Sequence, residues 1–106
     1  MSAELMKIRF NIHYKTQWGQ TLCLLFDNSP EAATDQYQCI PMQCNDKSEW
    51  TVEISIESIH CLFYRYAVLK EEQTFDYEYG NLRELRFKDA NKPVRVFDNW
   101  RGPYGD

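Results

Sequence analysis

Apolar and polar positions alternate along this chain in short runs. Residues 6–14, MKIRFNIHY, set Met6, Ile8, Phe10, Ile12 and Tyr14 on one face and Lys7, Arg9, Asn11 and His13 on the other. A period of two with one apolar face predicts a strand with one side in water, and His13 falls on that side. Residues 49–56 repeat the pattern, with Trp50, Val52, Ile54 and Ile56 against Thr51, Glu53 and Ser55. Residues 21–26, TLCLLF, are almost wholly apolar and predict a buried strand.

The longest such stretch is 59–80, IHCLFYRYAVLKEEQTFDYEYG. Leu62, Tyr64, Tyr66 and Val68 share one face, and Phe63, Arg65 and Ala67 the other. Residues 70–73 read as a polar turn, and 75–79 as a returning strand that stops at Gly80. A charged side chain in mid-strand is rarely left buried and unpaired. This hairpin is expected to bring Arg65 near two or three aromatic rings.

The remaining elements are short. Residues 39–44, CIPMQC, predict a short strand, with Pro41 at a sheet edge because it lacks an N–H. Residues 82–87 and 93–97 predict two more strands. Turns fall at 16–19, around Trp18 and Gly19, at 45–48 and at 88–92. Residues 27–38 form a loop, with one helical turn expected at 30–33. Residues 101–106, RGPYGD, read as a Gly/Pro linker, so the module is expected to span 1–100 and to precede a further domain. Seven to eight short strands with frequent turns and no amphipathic helix predict an all-β, antiparallel sandwich.

A chain of 106 residues holds one domain and a core that needs no staple. Its net charge is −4 with no basic run, which argues against nucleic acid and against an anionic membrane surface. No window is long enough for a membrane span and no signal peptide is legible, so a cytoplasmic location is expected. Four cysteines at 23, 39, 44 and 61 form no C-x-x-C pair, and His13 and His60 complete no zinc pattern. Free thiols, no metal and no cofactor are expected.

No nucleophile elbow, phosphate loop or H-E-x-x-H occurs. Asp76 and Glu78 are a carboxylate pair of the kind glycoside hydrolysis uses, but their spacing fits a solvated strand edge better. No catalytic residue is expected within this chain. Aromatic content is 15%, more than a small core hides, and an exposed ring is a contact device. Sugars need an aromatic platform rimmed by hydrogen-bonding groups. Trp18, Trp50, Tyr37 and Tyr77 are platform candidates; Arg65, Lys47, Asn81 and Glu78 can reach hydroxyls. Trp50 also falls on an apolar face, where core is the simpler reading. Aromatic patches bind proteins as well, and the residues alone leave both uses open.

The order of motifs is more specific. F-N-I-x-Y-x-T-x-W-G-Q opens at Phe10, S-P-E follows at 29–31, I-P-M at 40–42 and E-W at 49–50. F-Y-R-Y, Y-E-Y-G-N and V-F-D-N-W follow at 63–66, 77–81 and 96–100. From about Lys7 to Trp100 this resembles the starch-binding domain of carbohydrate-binding module family 20. It is most similar to N-terminal copies on bacterial 4-α-glucanotransferases of the amylomaltase type, glycoside hydrolase family 77.

The resemblance implies an immunoglobulin-like sandwich with two α-glucan sites. It implies Trp18 and Trp50 in the second site and Arg65 and Tyr77 in the first, where the family usually has Lys and Trp. Tyr37 stands near the family's loop Trp, and Asn81-Leu82-Arg83 near its Asn-Arg. The partners it implies are starch, glycogen or maltooligosaccharide, together with a downstream second module and catalytic domain. The alternative is a sandwich that has lost its sugar and serves as an interdomain or protein–protein interaction module.

Overall fold

The computed structural model describes residues 5–27, 38–45, 47–57, 61–71, 73–78, 80–87 and 92–102. Among them lie nine strands and no helix: β1 (Leu5–His13), β2 (Gln20–Asp27), β3 (Gln38–Pro41), β4 (Gln43–Cys44) and β5 (Glu49–Glu57). The chain continues through β6 (Cys61–Lys70), β7 (Gln73–Tyr77), β8 (Arg83–Arg86) and β9 (Val94–Asn99). One sheet has the order β4-β5-β1-β9; the other has β3-β2-β6-β7, with β8 also paired to β6. The expected all-β sandwich is present. The helical turn expected at 30–33 falls outside the described residues.

The two sheets close on the apolar faces that alternation defines. Met6, Ile8, Phe10 and Ile12 of β1 meet Leu22, Leu24 and Phe26 of β2 and Leu62, Tyr64, Tyr66 and Val68 of β6 in one buried cluster. Burying side chains of this size stabilises the fold by roughly 1.5–3 kcal/mol each. His13 is exposed, as its position on the polar face requires. Asn11 is the exception on that face. It is buried, and its amide donates to the Val96 carbonyl at 3.1 Å.

Two features depart from the expected layout. The run 39–44 is two strands, not one, which raises the count to nine: β3 pairs with β2, and β4 pairs with β5 in the other sheet. The crossing is at Met42, whose side chain is buried and whose N–H donates to the Leu22 carbonyl at 2.8 Å. Pro41 ends β3 at the sheet edge, where its missing N–H costs no ladder bond. The second departure is the pairing of β9 with β1, which is parallel, with Phe10 opposite Val96.

The turns follow side-chain chemistry. The Asn45 Oδ1 atom accepts the N–H groups of Lys47, at 2.8 Å, and Glu49, at 3.1 Å, closing the 45–49 turn into β5. Gly19 has φ +84°, a left-handed value that favours glycine, and the turn it ends carries Trp18. The four cysteines are free thiols: Cys23 buried, Cys61 half-buried, Cys39 and Cys44 exposed.

Candidate functional site

The site is built where β6 loses its regular partner. On one edge of β6, β7 pairs with Ala67–Lys70 and β8 pairs with Cys61–Tyr64. Arg65 and Tyr66 lie between, opposite the connection 78–82. Glu78 closes the gap. Its N–H donates to the Tyr66 carbonyl at 3.1 Å, and its carboxylate Oε1 accepts the Tyr66 N–H at 3.3 Å. The chain leaves the sheet beyond it and turns at Gly80, whose φ is +98°. A side-chain acceptor thus replaces a backbone one, so the backbone of 80–81 is free to project.

A polar network holds this arrangement from inside. Arg83 donates to both Glu78 oxygens, from Nε at 2.9 Å and from Nη2 at 2.8 Å. Its Nη1 lies 3.2 Å from Asp98 Oδ1. The hydroxyls of Tyr64 and Tyr66 each donate to Asp98 Oδ2 at 2.8 Å. Asp98 sits on β9 and the tyrosines on β6, so the network joins the two sheets. Burial pushes both tyrosine hydroxyls up in pKa, and Asp98 adds to the rise in each. Burial works to lower the Arg83 pKa, but its hydrogen bonds to Glu78 and the charges of Glu78 and Asp98 outweigh that, and the shift is upward. Arg101 supplies a second cation, with Nη2 3.6 Å from Glu78 Oε1.

Arg65 points the other way, to the outer face of the sheet. Its Nη2 donates to the Gly80 carbonyl at 3.0 Å, and its guanidinium carbon lies 5.8 Å from the centre of the Tyr77 ring. That is cation–π range. Tyr77 packs on a small apolar floor of Cys23, Leu25 and Ala67, with Leu69 beside it. Asn81 is exposed next to this pair, and its carbonyl accepts from Arg101 Nη2. A half-buried ring and a guanidinium on one face, with exposed Asn81 next in the turn after Gly80, can stack one side of a sugar and bond its hydroxyls. Among the described residues no three His, Cys, Asp or Glu side chains gather as a metal site.

Residues 5–96 match the family model described as the starch binding domain. The chain belongs to that family, carbohydrate-binding module family 20. Its members are non-catalytic α-glucan-binding modules. Solved structures share the fold of this starch-binding module. A glycoside hydrolase family 15 glucoamylase from Hypocrea jecorina superposes with TM-score 0.72 at 14% identity, covering 94% of this chain and 18% of that one. A gamma-CGTase from alkalophilic Bacillus clarkii gives 0.73 at 18% identity, with 93% and 15% covered. A glucoamylase from Hormoconis resinae gives 0.68 at 24% identity, with 95% and 18% covered. The module thus spans 15–18% of the length of these proteins. Comparison with curated proteins by sequence gives no match.

Within the module, Arg65 and Tyr77 come together, and exposed Asn81 follows the Gly80 whose carbonyl Arg65 holds. Arg65 meets the ring of Tyr77; the side chains of Phe75 and Tyr79, the other rings of the expected group, fall outside the described residues. Trp18 stands apart from Arg65 and Tyr77 at the tip of its turn, with its side chain 100% exposed. Tyr37 lies outside the described residues. Two candidates need correction. Trp50 is only 6% exposed, and its indole N–H donates to the Tyr14 carbonyl at 3.0 Å. Its ring is core and offers no face to a sugar, as its alternation with Val52 and Ile54 indicated. Glu78 has a side chain 0% exposed and both oxygens engaged, so it reaches no ligand hydroxyl. It shapes the site from behind.

Sequence reasoning passed over Asp98 and Arg101. Asp98 was legible, because it continues the inward parity of Val94 and Val96 on β9, facing two inward tyrosines. Arg101 carried no such signal, since it follows the last strand in a stretch that reads as linker.

Proposed function

We propose that this starch-binding module holds an α-glucan at two places, the Arg65–Tyr77–Asn81 cluster and the Trp18 turn, and so anchors an attached 4-α-glucanotransferase to its polymer. The carrying observation is Arg65 set over the Tyr77 ring beside Asn81 on an open face, within a chain of the starch-binding family. Trp18 is presented by the turn that ends at Gly19, and Tyr77 by the end of β7, three residues before the left-handed Gly80. The module supplies no chemistry. A weak binder joined to an enzyme raises the local concentration of substrate by effective concentration alone. The transferase, which would move α-1,4-glucan segments between acceptors, is inferred from the motif order of this chain.

Affinity electrophoresis in gels containing amylopectin tests the binding role. The wild-type module should be retarded, and Trp18→Ala with Tyr77→Ala together should run as in a gel without polysaccharide. Equal mobility of the wild type in both gels would overturn the proposal. The interaction-module reading would then gain weight from Phe97, which is 72% exposed on the outer face of the four-stranded sheet.

A further inference from the structure

We infer that Arg101 is a positioning residue for glucan at the Arg65–Tyr77 cluster, an inference that rests on the binding role proposed for that cluster. Its guanidinium lies flat against the Gly80 turn. A Cβ at Gly80 would stand 3.2 Å from Arg101 Nη1 and 3.3 Å from its guanidinium carbon. Its Nη2 donates to the Asn81 carbonyl and lies 3.6 Å from Glu78 Oε1. Arg101 therefore grips both ends of the turn. The carbonyl between those ends, that of Gly80, is the one that fixes Arg65 over Tyr77.

Glycine is needed at residue 80 for two reasons. The backbone there is left-handed, and a Cβ would crowd the Arg101 guanidinium and push it off the turn by a few tenths of an ångström. The Nε atoms of Arg65 and Arg101 are both shielded from water and have no hydrogen-bond partner among the described residues. Each guanidinium thus hydrogen-bonds the same turn through its terminal nitrogens alone, Arg65 at the Gly80 carbonyl and Arg101 at the Asn81 carbonyl. If the turn relaxes, Arg65 loses its only hydrogen-bond acceptor among the described residues and the ring pair opens. Arg101 acts on the ligand through Arg65 and needs no contact with it.

Lysine separates this role from charge balance. Lys at residue 101 keeps a cation near Glu78 but lacks the flat fork that lies on Gly80 and reaches Asn81. Calorimetric titration with maltoheptaose should show Arg101→Lys binding at least about fivefold more weakly at this cluster, with the melting temperature close to wild type. In an Arg65→Ala background the same substitution should cost nothing further, because the two act in series. Wild-type affinity in Arg101→Lys, with Tyr77→Ala impaired, would overturn the inference and leave the site standing. Wild-type affinity in Tyr77→Ala would overturn the site itself, and the inference with it. A second readout needs no variant. The Nε–H resonances of Arg65 and Arg101 in the wild-type module should shift together on adding maltoheptaose, and a shift at Arg65 with none at Arg101 would contradict the coupling.

Discussion

The Glu78 carboxylate stands in the ladder opposite Tyr66, accepting its N–H at 3.3 Å while the Glu78 N–H returns a bond to the Tyr66 carbonyl at 3.1 Å. An acid in this place is stable only because Arg83 grips both its oxygens and Arg101 lies near one of them. The exchange of a backbone acceptor for a side chain lets residues 80 and 81 leave the sheet. The outer-face pairing of Arg65 with the Gly80 carbonyl and the Tyr77 ring follows from that departure.

Removing the Glu78 carboxylate should therefore cost stability first. Glu78→Ala leaves Arg83, which is largely buried, without its main partner, and breaking such a pair costs about 3–5 kcal/mol. Glu78→Gln keeps an acceptor for Tyr66 and should cost less. Urea unfolding at neutral pH gives both values; equal stability of the alanine variant and the wild type would contradict this account.

The two tryptophans should behave oppositely. Trp50→Ala empties a core position and leaves the Tyr14 carbonyl unpaired, a loss of about 3–5 kcal/mol. Trp18→Ala touches no packed neighbour and should stay within about 0.5 kcal/mol of wild type. Trp18→Ala should weaken glucan retention while Trp50→Phe, if folded, should not. Thermal melts and amylopectin gels on the same preparations separate the two effects.

Alkaline pH should unfold the module through Tyr64 and Tyr66. Their pKa values are raised in the fold, first by burial and then by Asp98, above the ordinary value of about 10. Above that pH the unfolded chain releases protons that the folded chain retains, so deprotonation favours unfolding. The stability they contribute is whole below about pH 10 and drains away as pH rises toward the folded values, by about 1.4 kcal/mol per unit for each group. The Cys23 thiol, raised by burial and then by Cys39, acts in the same direction from lower pH. A Cys23→Ala background removes it. Tyr64→Phe with Tyr66→Phe should flatten the decline above pH 10, though with lower stability at pH 7.

Most of the framework was legible because strand faces write themselves in period two. Met6 to Ile12, Trp50 to Ile56 and Leu62 to Val68 all bury the face that alternation assigned. Local pattern carries no long-range pairing, so the parallel match of Phe10 with Val96 was hidden. The crossing at Met42 was hidden too, since 39–44 lacks the glycine or polar run that marks a break. Glu78 looked like an edge residue paired with Asp76, but the strand ends at Tyr77 and the next residue turns inward. Arg65 stood out as the one charge inside the apolar run of β6 and Tyr77 as a ring on the returning strand, and it was the family resemblance that put the two at one sugar site. Arg101 was not legible, because its partner is a turn distant in sequence.

The central claim is that Arg65 over Tyr77 binds α-glucan. Calorimetric titration of wild type and Tyr77→Ala with maltoheptaose, with tryptophan fluorescence followed alongside, tests it most directly. The account predicts saturable heat for the wild type and a loss of at least about tenfold, or 1.4 kcal/mol, in the variant, with the fold intact by melting temperature. It also predicts that any residual fluorescence change in Tyr77→Ala comes from Trp18 and disappears in Trp18→Ala. Unchanged heat and affinity in Tyr77→Ala would contradict the claim.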